Sequence, residues 1–423
     1  MLSAALNQRL TQTRRDTPAG QLLRRYWWPV AVSRQLEPES TLAVRLMGED
    51  LALYRTESGR LGLLSERCAH RGASLAYGMP EEEGLRCAYH GWRYDATGQC
   101  NDTPGEPASS ALCAKVRIAG YPVAELGGLI FAYLGPSPAP LLPRWDLLVR
   151  DDLRREIGIT ELPINWLHAA ENTMDPYHLE FLHTRYMNFV MKKQGKPPAA
   201  KVRRHLDIAF DVWEFGITKR RLLEGDDPAT SDEWLVGHPL IFPNTLALGG
   251  EGGPRFEYRV PVDDTHLRVY HYFTHPHPPS EPAPEIPYYE VPYKDADGRH
   301  IVDTVLGQDM MAWVTQGAIA DRTSEHLGTA DRGIILFRKL LQEQIAKVER
   351  GEDPMGVIRD PSRNEPMLVV PRERQAFFTH TGGMVEAPVD DPLALIRARR
   401  ELSGAGLPAH ELREACRCKT DLG

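Results

Sequence analysis

Residues 68–100 read CAHRGASLAYGMPEEEGLRCAYHGWRYDATGQC, and this stretch decides the first half of the chain. Cys68-Ala69-His70 is followed, after sixteen intervening residues, by Cys87-Ala88-Tyr89-His90, a C-x-H…C-x2-H pattern. Two thiolates and two imidazoles in two short loops suit a metal. Zinc accepts that donor set, but zinc fingers favour pairs of cysteines, whereas each loop here mixes one Cys with one His. A two-iron cluster uses that division, with both Cys on one iron and both His on the other. Each ligand pair is followed by a glycine, Gly72 and Gly91, which permits a tight loop whose N–H groups reach cluster sulfurs. Cys100 and Cys113 fall outside the pattern and read as buried thiols.

Outward from these loops the pattern is β. AVRLM, LALYR and LGLLS alternate between turn signals at Gly48-Glu49-Asp50 and Glu57-Ser58-Gly59. Asp95 to Gly98 marks another turn, and LIFAYLG (129–135) closes the set. Before it, residues 1–41 read as a helical segment in two pieces, with Thr17-Pro18 as a helix start. After it, proline-rich PSPAPLLPRW (136–145) reads as a linker. The expected domains are therefore 1–41 (helical), 42–140 (all-β, cluster-bearing) and 141–423 (a larger unit). The last opens on the helical INWLHAAENTMDPYHLEFLH, continues as strands and returns to helix at about 299–318 and 330–349. The tail beyond about 400 reads as peripheral.

The chain has 423 residues, too many for one ordinary core. No run approaches the roughly 18 to 20 apolar residues of a membrane helix. The N-terminus lacks a signal-peptide pattern, so a cytoplasmic protein off the membrane is expected. The formal net charge of −8 argues against nucleic acid, which needs a basic surface. No G-x-G-x-x-G opens a βαβ unit and no C-x4-C-x2-C is present, so electrons must come from a separate protein.

A second constellation lies in ENTMDPYHLEFLHTRY (171–186). Asp175 and His178, three apart, share a helix face. His178 and His183 are five apart and reach one metal only if the helix bulges between them. Pro176 supports a local break. A facial triad needs a carboxylate as well, and Asp303, Asp309, Asp321, Glu325 and Asp331 are the downstream candidates. Asp309 lies on the apolar stripe of Val302, Val305, Leu306, Ala312 and Trp313, where a charge is costly unless paired or metal-bound. Asp303, four residues after Arg299, reads as solvated. Gln316 on the same stripe reads as facing the pocket or bonding a neighbouring helix.

CAHRGASL and CAYHGWRYDATGQC closely resemble the two ligand loops of the Rieske domain of ring-hydroxylating oxygenases, and N-x2-D-x2-H-x4-H at Asn172, Asp175, His178 and His183 resembles their catalytic iron signature. The resemblance extends along the chain to the phthalate-dioxygenase-like branch, most of all to aromatic O-demethylases of the dehydrodivanillate type, through LRRYWWPVAVS, AYGMPEEEGLRCAYHGW and YPVAELGGLIFAYLGPSPAPLLPRW. It implies an α+β fold: an all-β Rieske domain, then a catalytic domain with an antiparallel sheet flanked by helices (helix-grip, START-like). It implies a [2Fe–2S] cluster on Cys68, His70, Cys87 and His90, and Fe(2+) on His178, His183 and Asp309, the aspartate matching by position. Asp175 becomes the carboxylate that bridges to a Rieske histidine of a neighbouring subunit, His90 before His70. It further implies O2 and a small aromatic as substrates, an NAD(P)H-dependent reductase or ferredoxin, and a head-to-tail homotrimer or dimer of trimers. The expected reaction is O-demethylation of a methoxylated aromatic acid, with cis-dihydroxylation of a phthalate-like carboxylate as the alternative. A non-enzymatic Rieske electron carrier is the rival of another class and needs only the first motif. Arg203, Arg204, Arg220 and Arg221 are candidates to hold the substrate carboxylate, none preferred.

Overall fold

The structure, a computed structural model, describes residues 1–373 apart from 108, 250–252, 279 and 283. The tail beyond 400, with Cys416 and Cys418, lies outside the described residues. Two short helices, Ala4–Thr11 and Pro18–Leu23, open the chain. Thr17 caps the second, its Oγ1 accepting the Gly20 N–H at 3.3 Å. The helical expectation for 1–41 fails beyond them. Trp27–Val32 is a strand, β1. Pro29 cannot serve a helix interior, Val30 and Val32 are β-branched, and the segment has a waiting sheet edge.

Strands β2 (Ser40–Leu46), β3 (Glu49–Arg55) and β4 (Leu61–Ser65) follow, then β5 (Met79–Glu81), β6 (Gly84–Arg86), β7 (Arg93–Tyr94) and β8 (Cys100–Asp102), and then β9 (Gly120–Tyr121), β10 (Val123–Leu126) and β11 (Leu129–Tyr133). They form three small antiparallel sheets, ordered β2-β3-β4-β9, β5-β6-β7-β8 and β1-β11-β10. Ala52, Tyr54, Leu64, Leu75, Leu85, Trp92 and Tyr94 build a separate small core around Cys68 and Cys87.

The second half is dominated by one sheet. β12 (Leu153–Leu162), β13 (His205–Trp213), β14 (Gly216–Leu223), β15 (His238–Ile241), β16 (Thr245–Leu248), β17 (Arg255–Pro261), β18 (Leu267–Pro276) and β19 (Tyr288–Glu290) lie in the order β13-β14-β15-β16-β17-β18-β12-β19. Every pairing is antiparallel except β12 with β19. Strand alternation divides its faces. Tyr258 and Tyr272, on one face, meet the N-terminal half: Tyr258 packs edge-on to Phe131 at 5.8 Å, and Tyr272 donates to the Gly127 carbonyl at 2.7 Å. The opposite face is polar although buried. It carries Lys219 opposite His238 and Glu257 opposite His271, with Arg221 and Arg259 one step along their strands.

Helices Trp166–Met174, Val305–Val314 and Arg332–Glu349 complete the α+β architecture. Arg259 on the polar face donates to the Ala169 carbonyl and to Thr173 in the first helix, and stands 4.9 Å from the ring centre of Trp313 in the second. Burying Leu167 and Met174 completely contributes about 1.5–3 kcal/mol each. No helix among the described residues is long and apolar enough to cross a membrane.

Candidate metal centres

The two Cys–His loops are built alike. In the first, Gly72 N–H donates to Cys68 O at 2.8 Å and Cys68 N–H to Ala73 O at 2.9 Å; in the second, Gly91 N–H donates to Cys87 O at 2.9 Å and Cys87 N–H to Trp92 O at 2.8 Å. Both closures need left-handed backbone at the glycine, φ 73° at Gly72 and 74° at Gly91. Cys68 and Cys87 are buried next to each other, whereas His70 is exposed and His90 half-buried. The two imidazole rings lie 4.6 Å apart, with His70 stacked on Trp92. Tyr94 Oη stands 3.2 Å from Cys68 Sγ and accepts the Ala69 N–H at 3.1 Å. Thiols inward and imidazoles outward fit a two-iron cluster whose histidine side faces the surface. Cys100 and Cys113 stay outside this set, with Sγ atoms 3.7 Å apart; Cys113 is only half-buried.

The second centre starts from a broken helix. Asn165 Oδ1 caps Trp166–Met174 by accepting Leu167 N–H at 3.1 Å. The helix stops because Asp175 precedes Pro176 and takes extended backbone, φ −86° and ψ 120°. A short turn at His178 then passes into a π-helix over Phe181–Tyr186. Its wider winding brings residues five apart together. Thr184 Oγ1 accordingly donates to Leu179 O at 3.1 Å, and the His178 and His183 rings meet edge-on at 5.1 Å.

Asp309 reaches them from helix Val305–Val314, which Thr304 caps through Gly307 N–H at 3.0 Å. Its Oδ1 lies 3.1 Å from His183 Nε2 and 3.9 Å from His178 Nε2. Ligand atoms of the three side chains all fall within 4.8 Å of one another. Asp309 Oδ1 is buried without a hydrogen-bond partner of good geometry, as a waiting ligand atom would be. Burial pushes the Asp309 carboxyl up, but His183 and His178 outweigh it and hold it below the usual range. Of the remote ring nitrogens, His183 Nδ1 is hydrogen-bonded to Gln308 Oε1 at 3.0 Å, and His178 Nδ1 faces Asp175 Oδ2 at 3.5 Å without a hydrogen bond of good geometry. Both Nε2 atoms are thereby aimed at Asp309, and two imidazoles with one carboxylate suit ferrous iron with open positions.

The other carboxylates are elsewhere. Asp303 is buried and accepts from Gln194 at 3.3 Å, so it is not solvated as expected, and Arg299 pairs with Asp297 instead. Asp321 caps its own turn, Glu325 pairs with Arg338, and Asp331 accepts Gly328 N–H. Gln316 is exposed and bonds Ala312 O, so it faces neither pocket nor neighbouring helix; Gln308 supports the site, a role legible only once Val302 and His183 are in place. Asn172 stands one turn before Asp175 and its carbonyl accepts the Asp175 N–H at 3.1 Å. The four candidate arginines are all engaged: Arg203 with Asp226, Arg204 with Glu224, Arg220 with Asp211, and buried Arg221 with Glu233 at 2.6 Å.

Comparison with known proteins gives the family. Residues 26–122 match the Rieske [2Fe-2S] domain, and residues 298–369 match the family described as LigXa C-terminal domain like. The chain is 41% identical over 419 residues to the 5,5'-dehydrodivanillate O-demethylase oxygenase subunit of Sphingobium sp., covering 98% of this chain and 96% of that one. It is 33% identical to the phenoxybenzoate dioxygenase subunit alpha of Ectopseudomonas oleovorans, over 90% and 93% of the two chains. In fold it is similar to the terminal oxygenase of carbazole 1,9a-dioxygenase from Nocardioides aromaticivorans, at a TM-score of 0.58 and 19% identity over 80% of this chain and 98% of that one. The chain belongs to the Rieske non-haem iron oxygenases, as an oxygenase component. It is an oxidoreductase whose cofactors are a [2Fe–2S] cluster and a mononuclear iron, in a family of oligomers served by a separate reductase or ferredoxin.

Proposed function

We propose that this chain is the terminal oxygenase of an O-demethylase acting on a methoxylated aromatic acid in the cytoplasm. Residues 42–140 carry the cluster on Cys68, Cys87, His70 and His90, and 141–423 carry the iron on His178, His183 and Asp309. When bound, the cluster supplies single electrons and the iron activates dioxygen. Asp175 links the centres across a head-to-tail trimer or dimer of trimers, touching His178 on its own chain and His90 of the neighbouring subunit; Asn172 positions the Asp175 loop. One O2, one NAD(P)H spent through a separate reductase and one proton hydroxylate the methyl carbon and release one water and NAD(P)+. The resulting hemiacetal collapses to a phenol and formaldehyde.

The observation that carries the reading is the 41% likeness, over nearly both full lengths, to a dehydrodivanillate O-demethylase oxygenase subunit. A bare electron carrier would have no use for the convergence of His178, His183 and Asp309. Likeness to a phenoxybenzoate dioxygenase favours a second reading, cis-dihydroxylation of a phthalate-like acid. Oxygen-dependent turnover with a surrogate reductase and NADH separates the two. Formaldehyde equal to substrate consumed supports demethylation; substrate loss with a diol and no formaldehyde supports dihydroxylation and overturns the first reading.

A further inference from the structure

Six lysine and arginine residues are buried among the described residues: Arg24, Lys219, Arg221, Arg259, Arg322 and Arg338. The five arginines each meet a carboxylate, at 2.8 Å for Arg24 with Glu49, 2.6 Å for Arg221 with Glu233, 3.1 Å for Arg259 with Glu257, 2.8 Å for Arg322 with Glu171 and 2.6 Å for Arg338 with Glu171. Lys219, 2% exposed, has no carboxylate oxygen within ion-pair distance among the described residues. Its Nζ donates to the backbone carbonyl of Asp175 at 2.9 Å. An ammonium has three N–H groups, and burying one without a counter-charge costs far more than a hydrogen bond returns. Burial, with Arg221 beside it, lowers the Lys219 pKa to about 7, against the opposite pull of Asp175, Glu233 and Asp309 from beyond ion-pair distance.

Lys219 also lies close to the iron-binding residues. Lys219 points from β14 onto the polar face of the large sheet, with His238 opposite on β15. Its hydrogen bond reaches the same Asp175-Pro176 break that delivers His178, and its charge acts on both Asp175 and Asp309. The Asp175 carboxylate is already occupied, accepting Tyr177 N–H at 2.8 Å and facing His178. Arg221, one step along the same face, is neutralised by Glu233.

We infer that Lys219 is the specificity-determining cation that receives the carboxylate of the aromatic substrate beside the iron site. The inference rests on the reading of this site as an aromatic-acid oxygenase and does not depend on whether the product is a phenol or a diol. The alternative is that Lys219 only props the Asp175 turn, which would make it indifferent to ligand charge.

The test is binding to the full-length holoenzyme, by titration calorimetry, of 5,5'-dehydrodivanillate, 3-phenoxybenzoate and phthalate, each against its methyl ester. Wild type is expected to bind at least one acid about 30-fold tighter than its ester, the size of one charge-assisted contact. Lys219→Met and Lys219→Gln are expected to erase that preference while the ester binds as before; Lys219→Arg is expected to keep most of it. Iron content and the Rieske spectrum select the folded variants, and the wild-type acid-to-ester ratio stands even where a variant fails to fold. Equal loss of acid and ester in the neutral variants, an unchanged acid affinity, or no acid preference in wild type would each overturn the assignment. An acid that binds through Lys219 but yields no formaldehyde would overturn demethylation and leave the assignment intact.

Discussion

His183 Nδ1 lies 3.0 Å from Gln308 Oε1, and Gln308 Nε2 donates to the Val302 carbonyl at 2.8 Å. The second bond fixes which way the fully buried amide points, so its oxygen must accept from the imidazole. His183 is thereby held with Nδ1 protonated and its Nε2 lone pair toward Asp309. Gln308→Leu removes that restraint. We expect about a 10–100-fold loss of mononuclear iron affinity, measured by chelator competition, with the Rieske spectrum unchanged. Gln308→Glu, which keeps an acceptor, is expected to retain most of the metal.

Tyr94 tunes the other centre. Its hydroxyl, 3.2 Å from Cys68 Sγ, is placed to donate to the thiolate of a loaded cluster. Such a bond stabilises the electron-rich reduced state. Tyr94→Phe is expected to lower the cluster potential by about 40 mV, the equivalent of one hydrogen bond worth about 1 kcal/mol in a one-electron couple. Redox titration followed by electron paramagnetic resonance reads it directly; an unchanged potential would assign Tyr94 to packing alone.

Glu171 holds the catalytic helix in place. One buried carboxylate receives Arg322 at 2.8 Å and Arg338 at 2.6 Å. Burial works against its charge, but the two guanidiniums win and keep its carboxyl below the ordinary value of 4.5. A lowered folded-state value means the stabilisation is complete above pH 4.5 and fades as pH falls through the lower folded value. Glu171→Gln leaves buried Arg322 without a counter-charge and Arg338 with Glu325 alone, and is expected to cost about 3–5 kcal/mol at pH 7 in denaturant melts. The gap to wild type should narrow on acidification below pH 4.5; a gap that widens there would contradict the sign.

Asp175 is expected to serve electron transfer and not metal retention, since it faces His178 from the side away from Asp309. Asp175→Asn should keep both metal centres and lose roughly a hundredfold or more in turnover, the scale of a misplaced reacting group. Stopped-flow oxidation of the prereduced cluster, with substrate and O2 present, locates the loss; rapid cluster oxidation in the variant would place the role of Asp175 elsewhere.

The Cys–His loops were legible because all of their information is local: ligands, glycines and turns fall within 33 residues. The bulge between His178 and His183 followed from a spacing that no regular helix can close onto one ion. Asp309 showed itself as a charge on an apolar stripe. Gln308 did not, because its partner His183 lies 125 residues away and a glutamine beside a ligand has no sequence signature. Lys219 was hidden for another reason. In GITKRRLL the alternation alone makes either set of basic residues the outer one, and only the pairing with β15 turns Lys219 and Arg221 inward. The strand at 27–32 carries no local signal that outweighs helix, because its partner, β11, lies about a hundred residues on.

The most direct test of the account is a metal count on wild type and Asp309→Ala. Wild type loaded with iron and sulfide should hold about three irons and two acid-labile sulfides per chain, the content of one two-iron cluster plus one mononuclear site. Asp309→Ala should hold about two irons, with the reduced-cluster resonance intact and oxygen-dependent turnover gone. Retention of the third iron in Asp309→Ala, or loss of the cluster resonance with it, would contradict the assignment of two separate centres.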